Sequence, residues 1–448
     1  MTTTKIPVPV QQAEQPRQRH EQNAPEAAEH SKLYKALRRF FAILGPGLIT
    51  GAADDDPSGI STYSVAGAAY GYATLWVALI TFPLMTAVQL MCARLGIVTG
   101  RGLAASVRMH YPRWVLWGSC LILAVANIIN IGADLGGMAE ATQLITHVRA
   151  LIWIPVYAVV IVVLMFWASY KLMAEIFKWM TLVLFAYVFA SFSANVNWRQ
   201  ALTVTFVPHV EFSRGFLSVL VAILGTTISP YLFFWQAAEE VEEKREKGKN
   251  HAMRNESTRH QLKCARTDTV SGMLFSNLIM YFIILTTAAT LHAHGKTDIT
   301  TARDAAEALR PLAGNGAYLL FTLGLIGTGM LGVPVLVGSC AYAISEAAGW
   351  RGSVADKPRQ AHKFYLVMTI AMALGLALNF FGLNAVKMLF FSALMNGLLA
   401  PPLILLVILL TSSRKVMGPR TNPPLLKSLG WVTFAIMTAA AVGMLVTS

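Results

Sequence analysis

An α-helix needs about 20 apolar residues to cross the hydrocarbon core of a bilayer. From Phe40 onward this chain is built of such runs, separated by short polar loops. Hydrophobic residues make up 55% of the 448 and charged residues 13%, about half the charged share of a soluble domain. A water-soluble fold is excluded, and the sequence predicts an all-α membrane protein. Spans are expected at about 40–69, 72–95, 114–141, 150–169, 173–194, 213–237, 267–292, 316–346, 363–383, 385–411 and 428–447, eleven in all. Residues 1–39, rich in Gln, Glu, Pro, Ala and His, are expected to form a disordered cytoplasmic tail. No apolar h-region stands near Met1, so no cleavable signal peptide is expected.

The net charge of +13 would suit nucleic acid if it lay on one soluble domain. Here the basic residues are scattered among loops, so no nucleic-acid partner is expected; the partner is the lipid bilayer. With the N-terminus inside, the cytoplasmic segments hold 28 Lys and Arg and the outer ones 7, as the positive-inside rule requires. An odd span number then puts the C-terminus outside. The cysteines Cys92, Cys120, Cys264 and Cys340 are far apart and form no CxxC pair, so neither disulfide nor zinc site is expected.

Two spans cannot be continuous helices. The first reads GPGLITGAADDDPSGISTYS, with Asp54, Asp55 and Asp56 in mid-segment. A charge at the bilayer centre costs about 3 kcal/mol or more on insertion scales. At 100° per residue, three successive carboxylates cannot share one helical face. Pro57 removes a backbone donor and disfavours α geometry at Asp56. The helix is expected to unwind here and line a polar cavity, where irregular backbone is tolerated at this depth. The sixth span repeats the device in LGTTISPYLFFWQ, where Thr226, Thr227 and Ser229 precede Pro230. Each proline falls in the opening span of a block of five, the arrangement of a transporter built on inverted repeats. The expected units are repeat one (40–194), repeat two (213–411) and an extra helix (428–447).

The expected cavity is acidic, drawing on Asp54 to Asp56 and on Asp134 and Glu140 of span 3. Unwound carbonyls and helix C-termini attract cations, and no Lys or Arg lies nearby in mid-membrane to receive an anion. A hard cation is the expected cargo, given oxygen donors. No Ser-His-Asp set, HExxH or nucleotide fingerprint occurs, so no enzyme activity and no cofactor are expected.

These motifs resemble the Nramp divalent-metal transporters. GPGLITGAADDDPSG followed by AGAAYGYATLWV is similar to the family's span 1 and the start of span 2; LGTTISPY is similar to its span 6, RTDTVSGMLFSNLIMYFII to its span 7 and IGADLGGMAE to its span 3. The resemblance covers nearly all of 40–448. It implies a LeuT-like fold of 5+5 inverted repeats with helices 1 and 6 broken, and a metal ion held between them. Asp56 stands where the family has its metal-binding aspartate, Gly59 where it has asparagine, and Ser229 where it has methionine. Ala53 and Thr226 would supply backbone carbonyls, and Asp55 an added ligand. Tyr231 replaces a histidine of the family's proton route, and Asp134 keeps one member of a span 3 acidic pair whose glutamate is Gly137 here. Glu140, about 240° around the helix from Asp134, does not replace it.

A thioether favours soft or borderline metals. Its replacement by Ser229, with the amide lost at Gly59, suits a harder, partly hydrated ion. The expected cargo is Mn2+ or Mg2+, similar to the magnesium-transporting branch of the family, with proton coupling weak or absent. Asp54 and Asn396 are accessory cavity candidates. Asn127 and Asn130, at i and i+3 in span 3, are expected to make interhelical hydrogen bonds, and His292 and His294 to lie in an outer loop. The setting is expected to be a bacterial inner membrane, and a monomer suffices. Two other readings are an organic-cation or amino-acid transporter of LeuT-like fold, and a metal-sensing membrane protein that transports nothing.

Overall fold

The computed structural model describes residues 50–51, 53–167, 182–249 and 258–447. Among them the regular structure is helical, and nine helices are long and apolar enough to cross a membrane. The expected first and fifth spans, 40–69 and 173–194, fall partly outside the described residues, as does the whole of the expected tail 1–39. The count of eleven is therefore not reached among the described residues.

A helical stretch ends at Asp54, and after Asp55 and Asp56 a new helix, α1 (Pro57–Tyr70), begins. A 3-10 turn at Gly71–Thr74 leads into α2 (Trp76–Thr99). Then come α3 (Leu103–His110), α4 (Arg113–Thr146), α5 (Ala150–Trp167), α6 (Phe185–Ser193) and α7 (Trp198–Phe206). The second half holds α8 (Arg214–Thr227), α9 (Pro230–Lys249), α10 (Thr258–Thr290), α11 (Ala317–Ala348), α12 (His362–Leu378), α13 (Ala385–Ser412) and α14 (Pro424–Val446).

Both expected breaks are present. Asp56 is extended (φ −66°, ψ 170°) and caps α1, with Pro57 in its first turn. Proline suits that place, because the first amides of a helix have no partner inside it. The other break falls at Ile228 (φ −110°, ψ 55°) and Ser229, and Pro230 opens α9. Proline alone does not break a helix here: Pro83, Pro155, Pro334, Pro401 and Pro402 all lie inside continuous ones.

The core around the breaks is made by α1, α4, α8, α10, α11 and α13. Small residues allow the close approaches on which membrane helix packing depends. At Gly225 of α8 an added Cβ would lie 2.2 Å from the Ala393 carbonyl oxygen and the Gly397 nitrogen of α13. At Gly332 of α11 it would lie 3.1 Å from Asp56 Cβ. The glycine-rich stretch 327–334 thus lets α11 press on the first break. By contrast α5 and α12 expose many apolar side chains, such as Leu151, Val159, Leu366 and Leu374, the surface a helix turns to lipid.

Candidate metal site

The two breaks meet at Asp56. It begins α1 and uses one carboxylate oxygen to hold that start together: Oδ1 accepts from the Gly59 amide (2.8 Å) and the Ser58 hydroxyl (2.7 Å). A carboxylate N-cap is favoured by the free amides and by the helix dipole. Oδ2 faces the other way. It accepts from Asn130 Nδ2 of α4 at 2.9 Å, and the Tyr231 hydroxyl of α9 lies 3.4 Å off. Tyr231 gives its proton to the Ala53 carbonyl (2.9 Å), at the end of the preceding helical stretch. At the other break the Ser229 hydroxyl donates back to the Thr226 carbonyl at 2.6 Å. Both carbonyls expected to face an ion thus accept a hydrogen bond from a hydroxyl.

Asp54 and Asp55 point elsewhere. Ser276 of α10 bridges them, 2.9 Å from Asp54 Oδ2 and 3.2 Å from Asp55 Oδ1. Their remaining oxygens, Asp54 Oδ1 and Asp55 Oδ2, are buried without a hydrogen-bond partner. The three carboxylates are at most 1% exposed. Unwinding lets them diverge: Asp56 serves the α1–α9 side, Asp54 and Asp55 the α10 side. Asp134, on the same face of α4 as Asn130 one turn on, is fully buried with neither oxygen hydrogen-bonded. Asn396 of α13 is 1% exposed with both amide atoms unpaired. A buried polar group without a partner costs about 1–3 kcal/mol, so several around Asp56 mark a place for water or an ion. Among the described residues no three His, Cys, Asp or Glu side chains are drawn into a ready metal cage; hydroxyls, carbonyls and amides dominate.

Gly59 has no side chain to offer, and its own amide is spent on Asp56. A Cβ there would lie 3.2 Å from Thr226 Oγ1, so its hydrogen leaves open the space between the broken helices. A Cβ at Gly137 would meet Leu389 Cδ1 at 2.9 Å, so an apolar side chain covers this position. Asn127 bonds across to α11, at the Leu336 carbonyl (2.9 Å) and Ser339 Oγ (2.7 Å).

Asn130 was expected only to join helices; it does so, but onto Asp56. Ser392 of α13 donates to its Oδ1 at 2.7 Å, fixing the amide so that Nδ2 faces the carboxylate. Its i, i+4 relation to Asp134 is the signal that could have placed it here. Replacing Asn130 with leucine is expected to raise the half-saturating metal concentration about 10-fold or more, the usual cost of losing a partner that orients a ligand; uptake measured against metal concentration checks this.

The sequence profile of the natural resistance-associated macrophage protein-like family, Nramp, matches residues 47–447. The chain belongs to the Nramp family. Its fold is similar to that of the manganese transporter of Eremococcus coleocola in complex with an aromatic bis-isothiourea substituted compound, with a TM-score of 0.75 at 18% identity over 91% of this chain and 86% of that one. It is similar also to Mhp1, a nucleobase-cation-symport-1 family transporter in a closed conformation with bromovinylhydantoin bound, with a TM-score of 0.57 at 14% identity over 90% of each chain. This Nramp protein is therefore an all-helical, integral multi-pass membrane protein with a LeuT-like fold, in a family of divalent-metal transporters.

Proposed function

We propose that this Nramp protein carries Mn2+ and Mg2+ across the membrane by alternating access around the two helix breaks, with weak or absent proton coupling. The observation that carries the reading is the junction at Asp56, where one carboxylate and two hydroxyl-covered carbonyls from both broken helices face each other. An arriving cation would turn the Ser229 and Tyr231 hydroxyls around. Each would stop donating to a carbonyl and offer a lone pair, so the shell would gain Asp56 Oδ2, the Ala53 and Thr226 carbonyls and two hydroxyls.

All of these donors are oxygens, the ligands preferred by Mg2+ and Mn2+. The space at Gly59 and the unpaired Asp134 and Asn396 would suit retained waters, which Mg2+ sheds reluctantly. Asp54 and Asp55, tied to Ser276, would contribute negative potential to the cavity. Of the family's proton route only Asp56 and Asp134 remain, with Tyr231 in place of the histidine and Leu389 covering Gly137; this supports weak coupling. The lysine and arginine distribution supports a cytoplasmic N-terminus and an outer C-terminus, the family a bacterial inner membrane, and the matching breaks a pair of inverted repeats.

In proteoliposomes, Mg2+ is expected to halve Mn2+ uptake at concentrations comparable to that of Mn2+. Ser229→Met combined with Gly59→Asn is expected to raise that Mg2+ concentration about 10-fold or more, because a thioether discriminates against hard ions. Uptake of Cd2+ or Fe2+ undisturbed by a large Mg2+ excess would overturn the hard-ion reading. A pH dye inside the vesicles should show little proton entry accompanying the metal.

A further inference from the structure

A cavity with a mainly apolar lining and a few polar side chains lies at the other end of α1. It measures about 390 Å3 and is lined by Tyr70, Tyr72, Gln200, His209 and His292, among others. α1 has 14 residues, so at 1.5 Å per residue about 21 Å separates this cavity from Asp56. It is a different place from the candidate metal site.

The two histidines are chemically prepared. His292 Nδ1 lies 2.7 Å from the Ala68 carbonyl. A carbonyl only accepts, so Nδ1 carries the proton, and in the neutral ring Nε2 keeps its lone pair. Anchoring one ring nitrogen on a carbonyl is how metal-binding imidazoles are commonly oriented. His209 shows the complementary arrangement: its Nε2 lies 3.5 Å from Glu211 Oε1, which leaves Nδ1 as the other nitrogen. The Trp76 indole donates to the His209 carbonyl at 3.1 Å, fixing the backbone of this segment against α2. Its ring, with the side chain 63% exposed, has room to turn.

We propose that this cavity binds a borderline divalent ion such as Zn2+ through His292 and His209, with water completing the shell, and that the bound ion inhibits transport from there. Imidazole nitrogens suit Zn2+, Ni2+ and Cu2+ far better than Mg2+, so the cavity would discriminate against a hard cargo. Occupancy would tie together three segments. Tyr70 to Ala73 end α1, His209 leads into α8, and His292 follows α10. α1 and α8 carry the two sides of the Asp56 junction, so joining their far ends restrains the motion that alternating access requires.

Isothermal titration of Zn2+ into Asp56→Ala protein tests binding without reference to transport. One ion is expected, with its affinity lowered at least tenfold by His209→Ala and abolished when His292→Ala is added. Because His292 packs on Gly71, His209→Ala, at an exposed ring, is the variant that avoids a folding defect. In proteoliposomes, Zn2+ is expected to lower the maximal rate of Mn2+ uptake even at saturating Mn2+. His209→Ala should raise the inhibitory Zn2+ concentration at least tenfold and leave uptake without Zn2+ unchanged. Absence of Zn2+ binding in the Asp56→Ala protein, binding untouched by the double substitution, or inhibition fully relieved by Mn2+ would each overturn the proposal. Failure of Mn2+ uptake alone would instead count against the transport reading, since the titration does not depend on it.

Discussion

Metal uptake is expected to fall to background when Asp56 is replaced by asparagine or by alanine. Asparagine keeps the size of the side chain and caps a helix about as well as aspartate, so α1 should still start at Pro57. What it removes is the charge. A divalent ion leaving water at this depth would then meet only neutral dipoles, and transfer of an unpaired ion into such surroundings costs several kcal/mol. Alanine removes the cap as well, at about 1 kcal/mol, and strands the donors Ser58, Gly59 and Asn130. Both proteins should migrate as folded monodisperse species in detergent, because the remaining helices are untouched. Uptake of Mn2+ at the wild-type rate in the asparagine variant would remove Asp56 from the site.

The largest expected loss of stability follows Gly225→Ala. The new methyl would lie 2.2 Å from two backbone atoms of α13, and backbone, unlike the tip of a flexible side chain, cannot swing aside. α8 and α13 would have to separate along their shared face, and packing of this kind is a main source of helix association in lipid. The cost is about 3 kcal/mol or more, at the upper end for overpacked cores. Gly118→Ala supplies the control, because a Cβ there meets nothing within 4 Å and alanine is the better helix former. The apparent melting temperature in detergent should drop sharply for the first variant and hold or rise for the second. Equal melting temperatures would mean that the α8–α13 contact is not tight.

The helices were legible because lipid leaves a chain few choices: runs of about 20 apolar residues become helices, and nine of the expected spans are among the described residues. The breaks were legible from company rather than from proline. Pro83 and Pro334 sit in continuous helices with mostly apolar neighbours, whereas Pro57 follows three carboxylates and Pro230 follows Thr226, Thr227 and Ser229. Those polar side chains give the freed backbone something to bond with.

Directions were not legible. Once Asp55 and Asp56 leave the helix, no period fixes where their side chains point, so the pairing of Asp54 and Asp55 with Ser276 had to come from the fold. Sequence spacing puts Asn130 one turn from Asp134 and so toward the acidic face, but it does not say that the amide reaches Asp56 on another helix. The hydroxyl covers on Ala53 and Thr226 were likewise invisible. Tyr231 and Ser229 read as replacements for other residues, and only geometry shows where their protons go.

Asp56 serves two masters. One oxygen of the carboxyl group pins the opening turn of α1 while the other is the one that would greet a cation, so charge drawn toward the ion weakens the grip on the turn. An incoming ion would therefore loosen the first coil of that helix as it settles, and a departing one would let the coil tighten again. In the proposed cycle the emptied molecule would recover that grip each time the cargo leaves, which would give an empty carrier a built-in reason to close and begin the next round.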